Sequence, residues 1–219
     1  MTVRAVFFDW GHTLFDTPGS VGFIVDWSRR HGATIDVDDA ERLWEAARRH
    51  SRTVEEIAKG RDKDAAVHRE CWIALWSELD ARAPGLAAAL YEFETSAAGW
   101  VPFVDTGDVL RALHEKGVPV VIVSDVPFDL RPILAHYDLH RYVHSYVLSG
   151  EHGTIKPELR LFGIALEAVG VAPSEALMVG DNHNNDGAAI EAGIRTLLLP
   201  HAISGTPRGL NAVLALLDT

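Results

Sequence analysis

Six side chains able to do chemistry sit at the ends of apolar runs of this chain or in the segments that follow them. Asp9 interrupts FFDWGHTLFDT (7 to 17), Ser124 and Asp125 close VVIVSD, Lys156 lies in GTIKPE, and Asp181 and Asp186 fall in VGDNHNND. Singly, each is a residue type that caps helices and closes turns. Gathered together they mean more. Clustered carboxylates repel one another unless a hard cation sits among them, and Mg²⁺ prefers oxygen ligands. A carboxylate beside such an ion can attack phosphorus and carry an aspartyl-phosphate. A serine hydroxyl and a lysine ammonium would then hold the phosphoryl oxygens and offset their charge. The chemistry these types support is metal-assisted phosphoryl transfer.

Such a gathering needs elements that deliver side chains to one edge. The runs VRAVFF (3 to 8), VPVVIV (118 to 123), HSYVL (144 to 148), EALMVG (175 to 180) and RTLLL (195 to 199) are mostly continuous rather than alternating. That pattern predicts strands buried on both faces of a parallel sheet. Between them, 108 to 117, 129 to 139, 157 to 170 and 186 to 193 read as helices started by Pro or stopped by Gly. The alternation predicts an α/β core with a doubly wound parallel sheet, whose ligands bind at the strands' C-terminal ends. Residues 18 to 98 break the rhythm. They are helix-rich and hold Trp27, Trp44, Trp72 and Trp76. The expected organisation is a core of 1–17 and 99–219 with an inserted helical lid at 18–98, the aromatics forming the lid's own core.

The bulk properties narrow the partners. A formal net charge of -11 argues against nucleic acid or an anionic membrane. No apolar run approaches the ~18 residues that span a bilayer, and no targeting segment is visible. The single cysteine, Cys71, rules out an internal disulfide and fits a reducing compartment. The expectation is a cytoplasmic protein acting on a small molecule.

The order and spacing of these motifs resemble the haloacid dehalogenase (HAD) superfamily over nearly the whole core. Its first motif, an apolar strand and then Asp-x-Asp-Gly-Thr-Leu, is matched at Asp9, Thr13 and Leu14. Its second, a strand ending in Ser or Thr, is matched at Ser124, its third at Lys156-Pro157, and its fourth at Asp181 and Asp186. The helical insertion after the first motif resembles the family's α-helical cap on a Rossmann-like core. The resemblance implies a Mg²⁺-dependent phosphatase of small phosphorylated metabolites. In it Asp9 is nucleophile and metal ligand, while Ser124, Lys156 and the Asp125 backbone N–H bind the phosphoryl group. Asp181 is a metal ligand, and Asp186 a supporting or alternative one.

The chain departs from that pattern in its first motif. Gly11 stands where the family's phosphatases place the acid/base Asp, and His12 where they place glycine. Gly11 still offers the backbone carbonyl that serves the family as a metal ligand, but it cannot transfer a proton, a role typically worth ~10²–10⁴-fold in rate. Four explanations compete: His12 supplies the proton, a lid histidine (His31, His50 or His68) does, the leaving group needs none, or the site is partly degenerate and the protein is kept for binding. Haloacid dehalogenases also lack this Asp, yet they lose the Gly-Asp that Asp181 preserves here. Phosphonoacetaldehyde hydrolases carry a small residue there but need a lid lysine, and Lys59 and Lys63 sit in the polar run AKGRDKD, which reads as a solvated face.

Overall fold

The continuous apolar runs form a five-stranded parallel sheet in a computed structural model that describes residues 2–200, 202 and 204–217. Its strands are β1 (Ala5–Phe8), β4 (Val120–Ser124), β5 (Ser145–Leu148), β6 (Ala176–Gly180) and β7 (Arg195–Leu198), in spatial order β5-β4-β1-β6-β7. Two-residue strands β2 (Phe15–Asp16) and β3 (Val101–Pro102) pair separately. β1, β4 and β6 are buried at every position, which is why they lack polar alternation. β7, at the sheet's edge, is only half-buried.

After β1 the sheet grows through β4 and β5 on one side, and then through β6 and β7 on the other. β1 therefore borders the point where strand order reverses, the place where open α/β sheets hold ligands. Register fixes the tips: Phe8 pairs with Ile122 and with Val179, so Asp9 leaves the sheet level with the ends of both neighbours. Phe7, Val121, Val123, Val147 and Met178 pack with Leu161 and Phe162 of the helix Leu159–Val169. Burying each such side chain contributes about 1.5–3 kcal/mol.

Two of the predicted helices come out shorter. The 129 to 139 pattern is helical only over Arg131–His136, with Asp138 left-handed at φ 57° just beyond it. The 186 to 193 pattern is a 3₁₀ helix, Gly187–Ala192, ended by left-handed Gly193. Gly187 at its start weakens α-helix there, because glycine loses more backbone freedom in a helix than any other residue.

The chain divides into two compact units, residues 1–16 with 102–219, and residues 17–101. The second is helical: Ser20–Arg30, Val37–His50, Val54–Ala58, Ala65–Leu75, Ser77–Arg82 and Leu86–Glu94. Asp36 and Asp64 cap the second and fourth of these by accepting backbone N–H bonds. Ile24, Leu43, Trp76, Leu79, Leu86 and Leu90 form its core, against which Trp27, Trp44 and Trp72 pack. The aromatics thus serve the unit's interior. Buried Cys71 belongs to the same fold unit.

Candidate active site

Asp9 is at a strand tip because β1 ends on Phe8 and the chain then turns sharply. The Trp10 carbonyl accepts from the N–H groups of Leu14 and Phe15 at 2.9 and 3.1 Å, and the His12 N–H donates to the Phe15 carbonyl at 2.7 Å. This places His12 at φ 57°, a left-handed conformation that costs a residue with a Cβ roughly 1–2 kcal/mol. Thr13 closes the turn by donating its hydroxyl to Asp9 Oδ2 at 3.3 Å.

Lys156 joins the motifs. Its Nζ lies 2.6 Å from Asp9 Oδ1 and 2.6 Å from Asp186 Oδ1, with side-chain exposures of 2%, 13% and 1% for Lys156, Asp9 and Asp186. The other Asp186 oxygen accepts the backbone N–H groups of Asp181 and Asn182 at 3.1 and 3.0 Å. Gly180 makes room for this carboxylate, because a Cβ there would sit 2.1 Å from Asp186 Oδ2. Asp125 is a brace between loops: its carboxylate accepts from the Lys156 N–H at 2.8 Å and from Asn185 Nδ2 at 3.1 Å. Ser124 is buried at the tip of β4, beside β1.

Charge is unevenly balanced here. Burial raises the pKa of the Asp9 carboxyl, against the pull of Lys156, and the neighbouring charges of Asp186 and Asp181 raise it further. Burial also raises Asp125, and partial desolvation raises the more open Asp181. Burial alone would strip the proton from Lys156, but Asp9, Asp186 and Asp125 hold it on, so the net shift is upward. Four carboxylates against the Lys156 ammonium and the Arg208 guanidinium, whose charge reaches Asp181 and Asp9, still leave an excess of negative charge. Carboxylate oxygens of Asp9, Asp181 and Asp186 lie within 4.8 Å of one another, a hard-oxygen set that fits a divalent cation. Asp181 is exposed, whereas both oxygens of Asp186 are already engaged, which suits Asp186 to a supporting role.

The structure therefore brings Asp9, Lys156, Asp181 and Asp186 together and sets Ser124 and Asp125 at the neighbouring tip. His12 is close by, its Nδ1 3.1 Å from Asp16 Oδ1. The histidines of the helical unit are committed within that unit. His68 is buried, its Nδ1 3.0 Å from the Tyr91 hydroxyl and its Nε2 accepting from Trp72 Nε1 at 3.0 Å. His31 stacks on Trp27 and contacts the Trp27 carbonyl at 2.8 Å, and His50 lies 3.6 Å from Glu56. Lys59 pairs with Glu56 at 2.5 Å. One residue escapes a sequence reading: Arg208, whose Nε donates to the His12 carbonyl at 2.6 Å, lies far along the chain with no periodic signal.

Comparison with known proteins gives the family and the fold. The family model for "haloacid dehalogenase-like hydrolase" matches residues 3–193. A phosphoserine phosphatase of Thermus thermophilus is 40% identical over 91 residues, covering 40% of this chain and 36% of that protein. The match thus spans little more than a third of that relative's length. The HAD phosphatase of Thermococcus onnurineus superposes with a TM-score of 0.64 at 22% identity, covering 96% of both chains. A 2-haloacid dehalogenase of Pseudomonas syringae pv. Tomato DC3000 does so at 0.65 and 21%, covering 99% and 98%. At such identities these two structures speak for the fold.

Proposed function

The chain belongs to the haloacid dehalogenase-like hydrolases, and from that membership we propose a Mg²⁺-dependent phosphatase of small phosphorylated metabolites, acting through Asp9. The observation that carries this reading is the Lys156 ammonium held 2.6 Å from both Asp9 and Asp186, beside the exposed carboxylate of Asp181. In it, Asp9, Asp181 and the Gly11 carbonyl would hold the ion, with Asp186 as a supporting or alternative ligand. When bound, Mg²⁺ would offset the charge of the carboxylates and of the phosphoryl oxygens.

An Asp9 oxygen forms a bond to phosphorus as the bond to the leaving oxygen breaks. Lys156 and Ser124 hold the phosphoryl oxygens, and the N–H of Asp125 adds a donor. Water then adds to phosphorus, freeing phosphate and the Asp9 carboxylate. Gly11 supplies no proton for the leaving oxygen. His12 is the donor we assign, its imidazole oriented by Asp16 at 3.1 Å. The helical unit serves as the cap that selects the substrate, and the single buried thiol suits a cytoplasmic setting.

The test is phosphate release from a panel of phosphorylated metabolites and an aryl phosphate, with and without Mg²⁺. Turnover is expected only with the ion and is expected to fall at least ~10³-fold in Asp9→Asn. Halide release from 2-haloacids without metal would overturn the reading. No wild-type turnover, with a gain in Gly11→Asp, would instead reveal a degenerate site.

A further inference from the structure

Arg208 lies outside every motif, yet it is 3% exposed and reaches the nucleophile turn. Its Nε donates to the His12 carbonyl at 2.6 Å, and a terminal guanidinium nitrogen donates to the Pro200 carbonyl. The backbone around it is anchored separately. The N–H groups of Arg208, Gly209 and Leu210 donate to the buried Asp105 carboxylate at 2.7, 2.8 and 2.8 Å. A second tie joins the same segment to the far end of the turn, where the Ser204 hydroxyl donates to Asp16. A buried cation is costly unless its donors find partners, and here two guanidinium nitrogens donate to carbonyl oxygens, one of them inside the turn that carries Asp9.

The carbonyl it grips belongs to the one residue of that turn in a left-handed conformation, His12 at φ 57°. The motif this turn resembles has glycine there, which adopts such a conformation without a Cβ clash. We propose that Arg208 is a positioning residue for the nucleophile turn: its guanidinium holds the His12 peptide in the conformation its side chain disfavours, fixing the Gly11–His12 backbone beside Asp9. Asp105 sets the guanidinium's origin, and the turn keeps its shape without glycine at position 12. The effect on metal affinity rests on the phosphatase reading. The effect on the turn does not.

A double-mutant cycle of Arg208→Ala and His12→Gly, read in two ways, tests this. In thermal unfolding without divalent cations, Arg208→Ala is expected to lower Tm by roughly 3–6 °C in the native background. It should lower Tm by less than half as much beside His12→Gly. In calorimetric titration with Mg²⁺, Arg208→Ala is expected to weaken binding at least ~10-fold, the effect typical of residues that orient a metal's ligands. His12→Gly should restore part of that affinity. Equal Tm losses in both backgrounds, or unchanged affinity in the variant of a wild type that binds Mg²⁺, would overturn the proposal. A wild type that binds no Mg²⁺ would sink the metal reading instead, while the thermal cycle still decides the clamp. If Arg208→Ala does not fold, Arg208→Lys takes its place, since one ammonium cannot reproduce the guanidinium's fixed fork of donors; the same dependence on His12 is expected, with smaller losses.

Discussion

In the sheet unit, Lys156 and Asp186 are almost wholly buried, and the groups facing them are further charges: Asp9, Asp125 and Asp181. In the helical unit, His68 is buried and Glu94 largely so, and the charges of Arg61 and Arg48 reach them, but the groups they hydrogen-bond are neutral. Glu94 accepts from the Ser20 hydroxyl at 2.6 Å and from Trp44 Nε1 at 2.7 Å, and His68 lies between Tyr91 and Trp72. The difference lies in what is left over. The helical network matches donors with acceptors inside its own unit and joins its helices together. The sheet-edge network leaves negative charge uncompensated, and such frustration marks sites built for a ligand rather than for stability. Depth of burial alone would not have distinguished the two regions.

The largest effect that would sharpen this contrast is expected at Lys156. Lys156→Met leaves Asp9 and Asp186 facing each other without their shared cation. Unfolding free energy measured without divalent ions should fall by about 3–5 kcal/mol, and kcat by roughly 10²–10³-fold. A variant as stable and active as wild type would break the comparison, because the lysine would then be ornamental.

Gly180→Ala comes next. Its new methyl would meet the Asp186 carboxylate at 2.1 Å, displacing it from Lys156 and from the backbone N–H groups of Asp181 and Asn182. Overpacking of this kind costs about 1–3 kcal/mol, and the accompanying loss of turnover should exceed what a distant substitution of equal destabilisation produces. Steady-state kinetics alongside urea unfolding would show whether the two losses separate.

In the helical unit the expected effect is on pH-dependent stability, not on chemistry. Burial, with the charge of Arg61, lowers the folded-state pKa of His68 to about 4. The unfolded histidine titrates near 6.5, so between these values the unfolded chain binds the extra proton. His68 therefore supports the fold fully above pH 6.5, and up to roughly 3 kcal/mol is lost as pH falls toward 4. His68→Phe should show a shallower decline over that window in unfolding free energy, with kcat at neutral pH within threefold of wild type. The same slope in both proteins would show that other groups govern acid sensitivity there.

How far the sequence could be read follows from which interactions are local. The strands were legible because burial on both faces demands continuous apolar runs such as VPVVIV, and β1, β4 and β6 follow them closely. The loss of α-helix over 186 to 193 was not, because a Gly stop marks an end without saying whether enough residues precede it to form more than a 3₁₀ turn. Asp9, Ser124 and Asp181 stood out because each sits at a strand's end, and a parallel sheet delivers all strand ends to one edge. Lys156 stood out because it precedes the helix Leu159–Val169 that follows the third long strand.

By itself, then, the chain determined its α/β class, the family resemblance, and the carboxylates and lysine that converge, since periodicity and strand-end position are properties of short stretches. Tertiary structure alone decided how those groups are matched: that Lys156 bridges Asp9 and Asp186, that Asp125 braces a loop through Asn185, that His68 is locked into packing, and that Arg208 grips the turn at His12. The physical reason is the same for each. A hydrogen bond or ion pair is fixed by angstrom-scale approach between segments tens to hundreds of residues apart, and no local pattern encodes that distance.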